Sequence, residues 1–325
     1  MSKNHSEILG TSVVPSYKPD SFSDFMRRTY KRWRLYVLLL PALIWLVIFC
    51  YVPMYGVLIA FKDFKVKLGI VASPWAEPLF KYFIQFFQTS LAVNTIWNTL
   101  ALSALQLIFG FPIPIIFALL LNHVSSSKLK KTVQTISFAP HFISTVVLIS
   151  MMNAMLMPEG GWLNTLIQMF NGGNAILFTT RAEYFRPLYI LSGIWQDMGF
   201  SSIIYIAALT AVSPDLHEAA MIDGATKFQR ILHIDLPSMM PTMVTMFILA
   251  FGKMFSIGYE KAYLMQNTMN LSTSEIISTY VYKIGLQSAQ YSFSTAVGLF
   301  NSIINFILLI TVNFVSRRVM NMGIF

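Results

Sequence analysis

Charge is scarce in this chain. Its 325 residues include 14 Asp and Glu, and all charged types together make up 11%. A soluble domain carries roughly 25%, so a water-facing surface cannot be covered here. The same scarcity excludes intrinsic disorder, which needs high charge and low hydrophobicity. Cysteine is nearly absent: Cys50 stands alone inside an apolar run. That excludes an internal disulfide and a cysteine-built metal site. No G-x-x-x-x-G-K-[ST] loop is present to cradle ATP phosphates. No H-E-x-x-H run occurs, and His5, His123, His141, His217 and His233 are scattered. A membrane-embedded glycosyltransferase or peptidase would require an acidic or metal constellation, and none is legible. The expectation is a non-catalytic chain with no cofactor or metal of its own.

Hydrophobic residues, by contrast, make up 55% of the sequence, with 27 Phe and 19 Met. They gather in six stretches: 35–60, 96–121, 133–155, 187–212, 241–265 and 293–314. Each is long enough to cross roughly 30 Å of hydrocarbon, which takes about 20 helical residues. Only helices satisfy their own backbone over such a length in lipid. The fold expected is an all-α integral membrane protein with six transmembrane helices. The net charge of +9 then reflects basic loops at one membrane face rather than nucleic acid.

Those loops fix the orientation. Arg27, Arg28, Lys31, Arg32 and Arg34 precede the first stretch. Lys128, Lys130 and Lys131 follow the second, Lys227 and Arg230 the fourth, and Arg317 and Arg318 the sixth. With Lys3 and Lys18 this side holds 14 of the 23 Lys and Arg. The positive-inside rule puts both termini in the cytoplasm. The first stretch is longer than a signal-peptide core and lacks an A-x-A-like site, so it reads as a retained span. Arg27-Arg28 resembles a twin-arginine signal, but a cytoplasmic anchor is the preferred reading. Residues 1–34 read as a polar, basic tail, poorly ordered over 1–26, and 35–325 as the transmembrane domain.

Two long loops lie on the other side. In 157–186, Pro158-Glu159-Gly160-Gly161 and Asn171-Gly172-Gly173-Asn174 are turn formers, and a short interfacial helix is expected over 162–170. A second is expected around 273–284 within 266–292. They serve either as docking surfaces for an external partner or as plain connectors.

Between the fourth and fifth stretches, 213–237 carries the most specific pattern. Ser213 is a good helix cap and Pro214 suits the first helical position. Asp215 and Glu218 favour a helix N-terminus. Asp223-Gly224 is a turn pair, and a second helix follows with Lys227 and Arg230. Ala219 and Ala220 leave room for another protein's groove, while Leu216, Met221 and Ile222 can anchor in it. A DNA-reading helix-turn-helix would also fit small residues and a glycine turn, but not between two membrane spans.

Glu218-Ala219-Ala220, Asp223-Gly224-Ala225, and then Ile234, Leu236-Pro237 and Pro241 resemble the EAA motif of permease subunits of bacterial ABC importers. The resemblance extends over 35–64, 98–122, 138–145 and 195–209, and within that family is closest in kind to the branch importing complex oligosaccharides and polysaccharides, including alginate importers. It implies a type I importer permease fold of about five core helices plus an extra N-terminal helix. It also implies a paired permease, expected to be a distinct chain in a heterodimer, two ATP-binding subunits holding ATP and Mg, and an external solute-binding protein. The location implied is the bacterial plasma membrane, and the cargo an oligo- or polysaccharide. Glu218, Ala219, Ala220, Asp223, Gly224 and Ala225 are implied to couple the chain to the ATPases.

Ionisable groups at membrane depth are costly and mark pathways. Asp197 falls inside the fourth stretch and Lys253 inside the fifth. Glu260 follows Lys253 by two helical turns, on about the same face. Trp195, Gln196, Tyr259, Asn301 and Asn305 add aromatic and amide groups suited to sugar rings and hydroxyls, and Lys253 favours an anionic sugar. Two other readings stay open: an Asp197–Lys253 pair that only holds helices together, and a proton-coupled transporter using Asp197 and Glu260.

Overall fold

The computed structural model describes residues 30–170, 172–320 and 323. The polar segment 1–26 lies outside them. Among the described residues the structure is helical, apart from one isolated antiparallel bridge between Lys62 and Trp75. The chain divides into two units at Gly56. The first consists of most of α1 (Trp33–Phe61), 29 residues long. At about 1.5 Å per residue it is longer than the hydrocarbon is thick. None of its residues from Trp33 to Met54 is buried, as an apolar helix meant for lipid or another chain requires.

The second unit starts with the last turn of α1 and a folded loop. There Asp63 accepts hydrogen bonds from the Tyr82 hydroxyl at 2.6 Å and the Lys81 ammonium at 3.0 Å. These bonds, Tyr82's first, hold its carboxyl below the usual range. The loop ends in α2 (Lys81–Gln88), followed by α3 (Ser90–Asn122). Next come α4 (Ser127–Phe142), α5 (Thr145–Leu156) and α6 (Trp162–Phe170). The long α7 (Ala182–Thr210) precedes α8 (Pro214–Ile222) and α9 (Lys227–Gly252). The short α10 (Tyr259–Met265), a single helical turn at Leu271–Ser274 and α11 (Ile277–Tyr282) lead to α12 (Tyr291–Met320).

Three apolar clusters hold these elements. Leu102, Ile149, Phe185, Ile190, Met265 and Ile276 join α3, α5, α7 and α10. Phe86, Ile277, Tyr280, Phe293 and Val297 join α2, α11 and α12. Ile115, Leu119, Tyr205, Leu209 and Met239 join α3, α7 and α9. The packing of α3 on α7 is the most extensive contact. A large apolar side chain buried in such a cluster contributes about 1.5–3 kcal/mol relative to water; in lipid, tight packing takes over that role.

Among the described residues, four helices are long and apolar enough to cross a membrane: α1, α3, α9 and α12 up to Arg318. The count reaches six if the bent pairs α4/α5 and α7/α8 each form one span. Two expected spans differ from the sequence reading. The stretch 133–155 is broken by a 99° bend between α4 and α5. Pro140 has no N–H to continue α4, and Ser144 starts α5 afresh, its hydroxyl accepting from Val147 N–H. The stretch 241–265 is likewise two pieces, because α9 stops at Gly252. Asn305 of α12 holds the freed chain: its Oδ1 accepts from Phe255 N–H at 2.8 Å, and its amide donates to Ser256 Oγ at 2.7 Å.

The expected helix at 162–170 is present as α6, and the segment around 273–284 contains α11. Gly160, Gly172 and Gly173 take positive φ in the turns that flank α6. Asn164 anchors α6. Fully buried, it donates to the Leu156 and Ile176 carbonyls and accepts from Ile176 N–H. Asn164→Ala leaves these buried backbone groups unpaired and is expected to cost about 2–3 kcal/mol, measured as a lower melting temperature in mild detergent.

Candidate functional site

The first candidate site is the elbow formed by α8 and the start of α9. Ser213 caps α8, its hydroxyl accepting from Asp215 N–H at 3.3 Å. The chain turns 71° from α7 to α8. α8 ends at a glycine that the geometry demands. Ala225 N–H donates to Ala220 carbonyl at 2.8 Å and Gly224 N–H to Met221 carbonyl at 3.1 Å. Gly224 sits between them at φ +79°. This is the Schellman closure, whose left-handed residue favours glycine. Thr226 and Gln229 then form a reciprocal capping box that starts α9.

The elbow is rigid but uncovered. Glu218, Ala219, Asp223 and Gly224 are exposed, and Ala220 and Ala225 half-buried. Leu216, Met221 and Phe228 are exposed, and Ile222 is 87% exposed. Four large apolar side chains open to solvent on one short elbow make it a candidate docking face. Sequence reasoning missed Phe228, because its position on this face depends on the turn at Gly224. A cavity of about 310 Å³ opens beneath, lined by Asp223, Gly224, Arg230 and His233 among others.

The second candidate site lies among α3, α7 and α9. A cavity of about 670 Å³ is lined by Gln106, Phe111, Phe200, Ser201, Tyr205 and Lys253, with further apolar residues. A smaller one of about 360 Å³ adjoins it, sharing Gln106 and Ser201 and adding His141, Gly193 and Asp197. Lys253 is thus on the wall of the larger cavity and Asp197 on that of the smaller. They are not, however, the pair weighed from sequence. Asp197 Oδ1 lies 2.9 Å from His141 Nδ1, and the His141 ring stacks on Phe200 with centroids 3.9 Å apart. Gln196 donates to the Ile143 carbonyl at 2.8 Å and so ties α7 to the α4/α5 break.

Several expected members stand elsewhere. Lys253 caps the end of α9 instead of sitting mid-helix, so Glu260 does not share its face. Glu260 opens α10, is exposed and lines neither cavity. The proton-coupled reading thereby loses one of its two acids. Tyr259 is stacked on Tyr282, and Trp195 is exposed away from both cavity walls. Asn305 is occupied in holding the chain after α9, while Asn301 is half-buried, its Oδ1 without a hydrogen bond.

Sequence reasoning missed Gln106, Ser201 and Lys261. Gln106 opens a π-helical turn, Gln106–Gly110, inside α3, and such turns often re-aim a side chain at functional sites. An amide interrupting an apolar run was its available signal. Lys261 donates to the Tyr189 carbonyl at 2.8 Å and lies over that residue's ring. Its ammonium is also the nearest atom to a Cβ built on Gly193. The close fit of α7 is clearest at Gly199, where a Cβ would collide with the Ser137 carbonyl group of α4. Gly199→Ala is expected to force α4 from α7 and cost on the order of 1–3 kcal/mol, read as a lower melting temperature in detergent.

The chain matches the family of binding-protein-dependent transport system inner membrane components over residues 22–321. It is 43% identical over 291 residues to the polygalacturonan/rhamnogalacturonan transport system permease protein YteP of Bacillus subtilis (strain 168), covering 90% of each chain. Protein LplB of the same organism is 40% identical over 294 residues, covering 90% of this chain and 91% of the other. Among solved structures, one is a crystal structure of a bacterial ABC transporter involved in the import of the acidic polysaccharide alginate. The match has a TM-score of 0.83 at 39% identity, over 91% of this chain and 99% of that one. A second is a bacterial alginate ABC transporter in complex with an alginate pentasaccharide-bound periplasmic protein. It has a TM-score of 0.83 at 38% identity, over 92% and 99%.

Proposed function

The chain belongs to the family of binding-protein-dependent transport system inner membrane components, and from that premise we propose that it carries a carboxylate-bearing oligo- or polysaccharide across the membrane. It is a multi-pass permease subunit of an ABC importer. In our reading residues 35–325 form the permease domain, with both termini in the cytoplasm. A second, distinct permease completes the path. Two ATP-binding subunits, holding ATP and Mg, dock on the α8 elbow, and an external solute-binding protein delivers cargo. This chain catalyses no reaction itself.

The observation that carries the coupling role is the rigid, uncovered elbow closed at Gly224. Glu218, Ala219, Ala220, Asp223, Gly224 and Ala225 form the face or the turn that an ATPase groove receives, with Leu216, Met221, Ile222 and Phe228 as apolar anchors. A helix lodged in a groove moves as a rigid body with its partner. ATP-driven closure of the ATPases is thereby converted into movement of α7 and α9, which meet at the elbow.

The adjoining cavities support the choice of cargo. Phe111, Phe200 and Tyr205 offer apolar faces to sugar rings, Gln106 and Ser201 bond hydroxyls, and Lys253 supplies a positive charge at the wall. Relatives named for polygalacturonan and alginate transport handle acidic chains, and a lysine on the path suits that chemistry. Asp197, bound to His141, orients the imidazole at the second cavity. Trp195, Tyr259, Glu260, Asn301 and Asn305 contribute less directly, since neither cavity is lined by them.

In proteoliposomes containing the full complex, Gly224→Asp is expected to lower sugar uptake at least about tenfold while the chain still inserts in the membrane. The left-handed backbone alone costs a side chain about 1–2 kcal/mol, and a charge is added on the docking face. Undiminished uptake would exclude the coupling role. Lys253→Ala is expected to lower uptake of an oligogalacturonate several-fold more than that of a neutral oligosaccharide of equal length. Equal losses on both sugars would exclude charge recognition by Lys253.

A further inference from the structure

Asp235 is a carboxylate with no exposed surface, and the transport reading does not use it. It ends a second π-helical turn, Ile231–Asp235, near the start of α9. Its Oδ2 lies 2.7 Å from Nε2 of His123, the residue that caps α3. Its Oδ1 lies 3.3 Å from Nε2 of His217, in the second turn of α8. The two imidazoles face each other edge to face, with centroids 6.2 Å apart. One buried acid therefore bridges the elbow and the ends of two long helices.

A buried carboxylate is costly unless it is held by donors. An ionised carboxylate only accepts, so His123 must present its Nε2–H to it. The two grips differ. His123 makes an aligned hydrogen bond. His217 stands within ion-pair distance but off hydrogen-bond alignment, and among the described residues no hydrogen bond reaches Oδ1. The firm contact joins α3 to α9, and the looser one joins both to α8, the element that receives the ATPase.

We propose that Asp235, His217 and His123 form a latch that positions α8 against α3 and α9, so that movement of the elbow reaches the helices lining the cavity. The proposal rests on the coupling reading of the elbow. These three are positioning residues, since none of them lies on the docking face or the cavity wall. The π-helical turn is part of the device: its extra residue per turn brings Asp235 inward while the exposed face of the elbow is left unaltered.

The test uses the full complex with its ATPases, assayed for ATP hydrolysis, for oligogalacturonate uptake, and for amide hydrogen exchange over residues 214–222. His217→Phe keeps a ring and removes the donor, His217→Gln restores an N–H, and Asp235→Asn keeps the shape and removes the charge. His217→Phe and Asp235→Asn are expected to retain the ATPase subunits and to raise exchange in 214–222 by about tenfold. Sugar moved per ATP hydrolysed should fall several-fold, with His217→Gln near the unaltered protein in both readouts. Unchanged exchange over 214–222 in both His217→Phe and Asp235→Asn would overturn the latch, and so would raised exchange with unchanged sugar moved per ATP. Should one variant fail to assemble, the exchange measured on the other decides. Gly224→Asp, run alongside, separates the two levels: if it leaves uptake intact, the coupling reading fails, whereas if it abolishes uptake and the latch variants leave sugar moved per ATP unchanged, the latch alone fails.

Discussion

A helix that breaks in or beside a membrane releases backbone groups that lipid cannot satisfy, and this structure is organised around the side chains that satisfy them. Ser144 receives the chain after the α4 break, Ser213 and Thr226 receive it on either side of the elbow, and Asn305 receives it where α9 ends. Asn164 does the same for the segment around α6. Each break is therefore fixed in direction. The breaks shape both candidate sites: without the stop at Gly252, Lys253 would lie inside a helix rather than at its cap, and without the turn at Gly224 Phe228 would not join the apolar side chains of α8.

Close approach of helices is the second requirement, and glycine meets it at few positions. Gly199 lets α7 touch the backbone of α4, and Gly193 leaves space taken by the Lys261 ammonium. α7 is thereby held to α4 on one side and to α3 on another, with the polar group of cavity residues on its surface. A π-helical turn occurs at each candidate site, at Gln106 in α3 and at Asp235 in α9. One re-aims an amide toward the cavity and the other a carboxylate toward two histidines. In both, a local change of helical pitch accompanies a polar side chain at a candidate site.

The elbow and the cavity are mechanically linked through α7 and α9, which run from one to the other. α3 joins them through its contact with α7 and through His123 at its end. In the proposed mechanism the permease works by such linkage. The physical demands are stiffness along the path of force and a low cost of rearrangement at the cavity. The capped turn, the contacts of buried Asp235 with His123 and His217, and the apolar cluster of α3, α7 and α9 supply the first. The large, mostly apolar cavity between the same helices is the place that can change shape.

The sequence by itself determined the helical class, the approximate spans, and the elbow with its glycine. Those features depend on composition, on runs of about 20 apolar residues and on local turn chemistry, all of which act between near neighbours in the chain. Ser213, Pro214, Asp223 and Gly224 could be read because capping is local. Tertiary structure alone decided which polar residues meet. His141 and Asp197 are 56 positions apart, His123 and Asp235 are 112 apart, and no periodicity relates them. The expected shared face of Lys253 and Glu260 failed for the same reason: it assumed a continuous helix, whereas an amide from α12 holds the chain where α9 stops. Local rules describe each helix, but the breaks and the partners are set by side chains that arrive from distant segments.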